Sequence, residues 1–197
     1  MDQQINTTMK SISFLSSLLL IISSLQSYTQ EEFNTYFSIG GRSTMSMFSH
    51  ESAGGLGLGG QFRIKPSENI NTEWFADYIQ INNHGYLSEY YHIGWSVLYY
   101  PLKSQKIQPY ILVGHCFDFN RIVFNDGSFE ESRWGSAVQG GIGTHFNITN
   151  RFDISLMSQF MIHLTEEIEV PNQHHHANIE SHVLNTISFN YKLFELW

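Results

Sequence analysis

Between Tyr90 and Tyr100 the side chains alternate: Tyr91, Ile93, Trp95, Val97 and Tyr99 fall on one face, and His92, Gly94 and Ser96 on the other. A repeat of two marks an extended strand, whose successive side chains point to opposite sides, whereas a helix repeats every ~3.6 residues. The same alternation recurs in eight blocks from Phe33 to the C-terminus. The chain is therefore confined to an all-β fold in which one face of each strand is apolar and the other polar.

Composition says which medium meets the apolar face. The 197 residues suit one domain, with 15% aromatic and only 14% charged residues, where a water-soluble domain carries about 25% charged residues. That deficit points to a surface that faces lipid. No stretch past residue 30 reaches the ~20 apolar residues of a spanning helix. A membrane-spanning form must then use strands closed on themselves, because lipid cannot satisfy an open sheet edge.

The N-terminus reads as an address. Lys10 precedes a mainly apolar stretch from Ile12 to Leu25, followed by Ser27, Tyr28 and Thr29, the order of parts in a secretory signal. Residues 1–29 are expected to be that signal, with translation starting at Met1 or Met9, and residues 30–197 to form the barrel domain. The single cysteine, Cys116, offers no internal disulfide, and it reads as a small packed side chain.

The blocks are read as strands over Phe33–Arg42, Leu56–Lys65, Asn71–Ile81, Tyr90–Tyr100, Gln108–Asn120, Arg133–Ile148, Phe152–Leu164 and Val183–Leu193. Each meets the ~9–11 residues of a tilted spanning strand. Their polar faces carry Arg42, Arg63, Lys65, Glu73, Asp77, His92, Asp118, Arg133, His145, Asp153 and Lys192. Phe75 and Ile79 share the polar face of the third block, and His115 interrupts the apolar face of the fifth. Connections at 66–70, 101–106 and 149–150 read as short, those at 43–54, 121–131 and 166–180 as long, and 82–88 as intermediate. Outer-membrane barrels have short periplasmic turns and longer outer loops, so the longer set is expected to face outward and the termini inward.

The segment Pro109-Tyr110-Ile111-Leu112-Val113-Gly114 and the aromatic-rich last strand, with Phe194 near its end and Trp197 closing the chain, carry a resemblance. The chain resembles the small eight-stranded outer-membrane β-barrel proteins, sometimes grouped as porin-like or outer-membrane β-barrel domain proteins. The resemblance covers the whole mature chain and implies an eight-stranded antiparallel up-and-down transmembrane β-barrel at a Gram-negative surface. It names no ligand.

An eight-stranded barrel is just wide enough for its side chains to fill it, and buried charges need partners. The inward set therefore reads as a polar plug, with a narrow porin-like channel as the alternative. The expected outer loops carry Glu51, Asp126, Glu130, Glu131, Glu166, Glu167, Glu169 and Glu180. This acidic face suits divalent cations or basic partners and argues against nucleic acid. His174, His175, His176 and Glu180, with Glu169, His182, His50 and His84 as further candidates, are the metal-ligand set there, since imidazole with carboxylate suits zinc, copper or nickel. No cofactor is expected.

An enzyme alternative rests on a second resemblance. In the lipid A deacylases, also eight-stranded barrels, a His-x-Ser pair ends the seventh strand and a carboxylate follows on the eighth. His163-Leu164-Thr165 and then Glu180 are similar, but threonine replaces the serine and the alternation turns His163 and Thr165 inward. The preferred expectation is a structural and surface-interaction protein in contact with outer-membrane lipid, lipopolysaccharide and a protein partner at its loops. A soluble lipocalin-like barrel, with its apolar face inward, is the remaining architectural alternative.

Overall fold

A computed structural model describes residues 35–48, 54–83, 85–102, 106–165 and 181–195. They form eight strands: β1 (Tyr36–Phe48), β2 (Gly54–Lys65), β3 (Ile70–Asn83), β4 (Tyr86–Tyr99), β5 (Ile107–Phe124), β6 (Glu130–Asn147), β7 (Phe152–His163) and β8 (Ser181–Glu195). Each pairs antiparallel with its sequence neighbour, and β8 pairs with β1, which closes the barrel. Closure leaves no strand edge exposed, the condition that a lipid solvent imposes. Among the described residues no helix is long and apolar enough to cross a membrane.

The register fixes the geometry. Phe37 opposes Ile64, and the path continues through Thr72, Val97, Val113, Gly140, Phe160 and Val183 to Met47. One circuit at right angles to the strands thus returns to β1 ten residues beyond its start, from position 37 to position 47. Such a stagger accompanies strands inclined about 35–45° to the barrel axis.

Side chains sort by parity. Leu58 and Val113 point outward at 72% and 66% exposure, whereas Arg63 and His92 point inward at 2% and 0%. The apolar side faces out and the charges face in, the reverse of a lipocalin-like barrel. Two rows of outward aromatics cross neighbouring strands. Phe62, Trp74 and Trp95 stand 6.0 and 6.4 Å apart by ring centroids, and Tyr78, Tyr91, Phe119 and Trp134 follow at 4.8, 5.9 and 5.1 Å. Two residues beyond the second row the outward face becomes charged, with Glu89 and Arg121 paired at 2.9 Å and Arg121 and Glu130 at 2.8 Å. Aromatics bordering an apolar band are the pattern of a membrane belt.

Strand ends differ from the expected ones. β1 does not stop at Arg42 but runs to Phe48, and its first expected residues, Phe33 and Asn34, lie outside the described residues. Asn83 opposes Tyr86 across a tight turn, and Val123 still opposes Glu130. The connections expected at 43–54, 82–88 and 121–131 are therefore largely strand. Polarity was the only boundary signal, and it fades where Gln80, Glu89, Arg121 and Glu130 make the outward face polar. The backbone ladder continues there because its hydrogen bonds do not depend on side-chain polarity. With these connections shortened, loop length says less about orientation than the sequence suggested.

Two irregularities have local causes. On β8, Phe194 opposes Phe37 while Lys192 opposes Ser38, so Leu193 is an extra residue in the ladder. A bulge of this kind re-aims its neighbours: Lys192 keeps the inward parity of Ser188 and Asn190, while Phe194 is turned outward and stacks on Phe37 at 5.4 Å. The β5–β6 turn has Gly127 at φ 71°, a left-handed conformation that glycine adopts without steric penalty. Just before it, Asp126 Oδ1 accepts the Ser128 N–H at 2.9 Å and the Ser128 hydroxyl at 2.6 Å. The Ser128 hydroxyl and then its N–H hold the Asp126 carboxyl below the usual carboxylate range. A depressed carboxyl favours the folded turn above its unfolded value and loses that contribution as pH falls through the folded one. Ser128→Ala is expected to move the Asp126 titration upward by NMR; an unchanged midpoint would count against the hydroxyl.

Candidate functional site

The lumen is the place where chemistry-bearing residues meet. In the half nearer the start of β1 and the end of β8, hereafter the terminal end, Arg63 from β2 bridges three strands. Its Nε donates to Glu73 Oε2 at 2.7 Å, Nη1 to Asp153 Oδ1 at 3.1 Å, and Nη2 to Ser155 Oγ at 3.0 Å. Arg42 from β1 donates to the other Glu73 oxygen at 3.2 Å and lies 3.0 Å from Asp77, there out of line for a hydrogen bond. Its guanidinium also stacks over Phe75 at 4.4 Å. Two guanidinium groups thus face three carboxylates, all nearly buried.

Neutral groups complete the crossing. Asn190 from β8 donates to Asp153 at 2.9 Å, and its carbonyl accepts from Gln61 at 2.6 Å. Tyr100 and His145 Nε2 are hydrogen-bonded at 2.8 Å, and the His145 ring lies 4.5 Å from that of Tyr110. Gln139 donates to Ser96 at 2.8 Å and accepts from Gln159 at 3.2 Å. Glycines make room for this filling. Gly59 opposes Asp77 and Gly143 opposes Tyr110, and a Cβ at either would collide with the side chain opposite.

In the half nearer the opposite, far end, a second cluster forms. His92 from β4, Asp118 from β5, His163 from β7 and His182 from β8 are all at least 95% buried. His163 Nδ1 lies 2.7 Å from Asp118 Oδ2, and its Nε2 lies 3.4 Å from His182 Nε2. Met161 and Cys116 lie beside them, with Met161 Sδ 3.2 Å from His182 Nε2 and 3.8 Å from Cys116 Sγ. Ile79, Ala137 and Leu184, each at 0% exposure, pack around this layer.

The expected site residues scatter. His163 faces the lumen, away from the apolar belt, and Thr165 Oγ accepts the Ser136 N–H at 3.3 Å. Glu180, His174, His175 and His176 lie outside the described residues, as do Glu169 and His50. His182, grouped in the sequence with those histidines, enters β8 and points inward. The sequence shows His92, Asp118 and His163 on inward faces but does not show that they share a level with His182 and Met161. Register supplies that: His92 opposes Asp118, and Met161 opposes His182.

No family model and no curated protein matches this sequence. Solved structures do match in three dimensions. Neisserial surface protein A, from Neisseria, aligns at 17% identity with a TM-score of 0.53, over 81% of this chain and 97% of that one. A major outer membrane protein from Thermus thermophilus aligns at 8% identity and TM-score 0.57, over 80% and 99%. The outer membrane protein OprG from Pseudomonas aeruginosa aligns at 14% and 0.52, over 81% and 96%. The fold is that of the small outer-membrane β-barrels. At these identities the likeness concerns architecture alone.

Proposed function

We propose that this chain is an integral protein of a bacterial outer membrane, exported by residues 1–29, whose lumen is plugged by its own side chains and which acts as a structural and surface-interaction protein. The observation that carries this reading is the Arg42–Glu73–Arg63–Asp153 chain, which crosses the lumen with ion-pair distances of 2.7–3.2 Å. A hydrated ion passing through would have to break buried, mutually neutralising pairs, and separating such a pair costs several kcal/mol, about 3–5 when one partner is removed. The outward apolar face and its aromatic rows support insertion in lipid, and the shared fold supports the outer membrane as that lipid.

The terminal end faces the periplasm and the far end, which carries the longest connection, between β7 and β8, faces outward, the arrangement of outer-membrane barrels. The far end then presents Asp126, Glu130 and Glu131, an acidic rim suited to divalent cations bridging lipopolysaccharide or to a basic protein partner. Purified protein in planar bilayers is expected to show no discrete conductance steps, and to migrate faster on a gel before boiling than after it. Reproducible single-channel steps would overturn the plugged reading in favour of a narrow channel. Equal migration before and after boiling, together with a monodisperse detergent-free protein, would overturn the membrane reading.

A further inference from the structure

The far-end layer of the lumen brings two imidazoles and a thioether within hydrogen-bonding reach of one another. His163 and His182 present their Nε2 atoms to each other at 3.4 Å. Two imidazole nitrogens bound at ~2.0–2.1 Å to one tetrahedral ion stand about 3.3 Å apart, so the observed spacing is that of a two-histidine bite. Met161 Sδ lies 3.2 Å from His182 Nε2, close to the about 3.5 Å expected between a nitrogen and a sulfur on the same ion.

The surroundings prepare this bite. Asp118 Oδ2, 2.7 Å from His163 Nδ1, accepts the Nδ1 proton and so leaves the Nε2 lone pair aimed at His182. A carboxylate behind a ligating histidine is the usual orienting partner in metal sites. His92 adds an independent sign. It is fully buried, its ring centroid is 5.9 Å from that of His182, and among the described residues neither of its ring nitrogens has a hydrogen-bond partner. Buried polar atoms in native structures nearly always have one, so His92 carries a ligating nitrogen that the protein itself does not satisfy.

The donor set selects the ion. Among the described residues no three His, Cys, Asp or Glu side chains already converge as a cage, and what distinguishes this layer is a thioether beside two imidazoles. Thioether sulfur favours soft monovalent copper over hard cations, and imidazole is compatible with it. A single positive charge is also the one that the single Asp118 carboxylate balances within walls made by Ile79, Ala137 and Leu184.

We infer that this layer is a copper(I) site, with His163 Nε2, His182 Nε2 and Met161 Sδ as ligands, Asp118 as the positioning residue and His92 placed to complete the shell. This goes beyond the plugged-barrel reading and does not depend on which way the barrel points.

The test uses the full folded protein in detergent, titrated anaerobically with copper(I) against a chromogenic copper(I) chelator. To separate the lumen from the outer loops, H174N/H175N/H176N serves as the background. One copper(I) per chain is expected in that background, with affinity at least tenfold weaker in Met161→Leu, a near-isosteric change, and 10- to 100-fold weaker in Asp118→Asn. X-ray absorption should show a sulfur neighbour in the first shell of the copper that disappears in Met161→Leu and persists in Cys116→Ser. Fast migration before boiling certifies that each variant is folded, and Asp118→Asn serves if Met161→Leu is not. Loss of all binding in the loop background, unchanged affinity in Met161→Leu or Asp118→Asn, or tighter binding of zinc than of copper(I) would overturn the assignment.

Discussion

Replacing Arg63 with methionine is expected to destabilise the folded barrel by about 3–5 kcal/mol, read as a lower urea midpoint and a smaller fast-migrating fraction before boiling. The size follows from what is left behind. Methionine fills much of the space and removes no backbone bond, yet Glu73 and Asp153 lose the guanidinium that now lies 2.7 and 3.1 Å from them. An ion pair broken on one side leaves an uncompensated buried charge, whereas removing both sides is often neutral. The triple variant R63M/E73Q/D153N should therefore recover most of the loss. A parallel change at Arg121, which is 40% exposed and pairs with Glu89 and Glu130, should shift the midpoint far less, because water screens an exposed pair. Equal effects at the two arginines would refute the view that burial makes the lumen network matter.

The second large effect is expected on the outside. Val113 is 66% exposed, and an exposed valine in a water-soluble protein tolerates arginine within about 0.5 kcal/mol. Here Val113→Arg should cost about 2–4 kcal/mol when the barrel is folded into lipid vesicles, because the guanidinium would sit deep in hydrocarbon. The same strand carries a built-in comparison. Arg121 occupies the same outward face eight residues further on, past Phe117 and Phe119, and is accommodated because it lies beyond the aromatic row. A cost below about 0.5 kcal/mol for Val113→Arg in vesicles would mean that this face meets water, and the membrane reading would fall with it.

Parity was the most legible property of the sequence. Arg42, Arg63, Glu73, Asp77, His92, Asp118, His145 and Asp153 all turn inward as the alternation requires, because a period of two leaves each residue only two choices. Strand length was less legible. Ser43 through Phe48 and Arg121 through Phe124 read as loop, since polarity was the only cue and Ser43 and Arg121 put a polar side chain on the outward face, yet their backbones stay in the ladder. Level along the axis was not legible at all. Ninety positions separate His92 from His182, and only the ten-residue stagger determines that Asp118, Met161 and both histidines share one layer. His174, His175 and His176 form the densest cluster in the sequence, while the convergent set is spread over β4, β5, β7 and β8.

The seam between β1 and β8 governs how such a molecule can come into being. Tyr36 opposes Glu195 there, so the contact that closes the cylinder joins nearly the two ends of the described chain, and encounters of such long sequence separation are intrinsically slow. Until they meet, two strand edges are bare, and the arginines and carboxylates of the future interior lie on an open sheet. The apolar exterior cannot settle into lipid piece by piece without dragging that charged face along. Assembly is in this sense indivisible: the last strand hides the charges of the first seven, and no shorter version of the barrel is half as good.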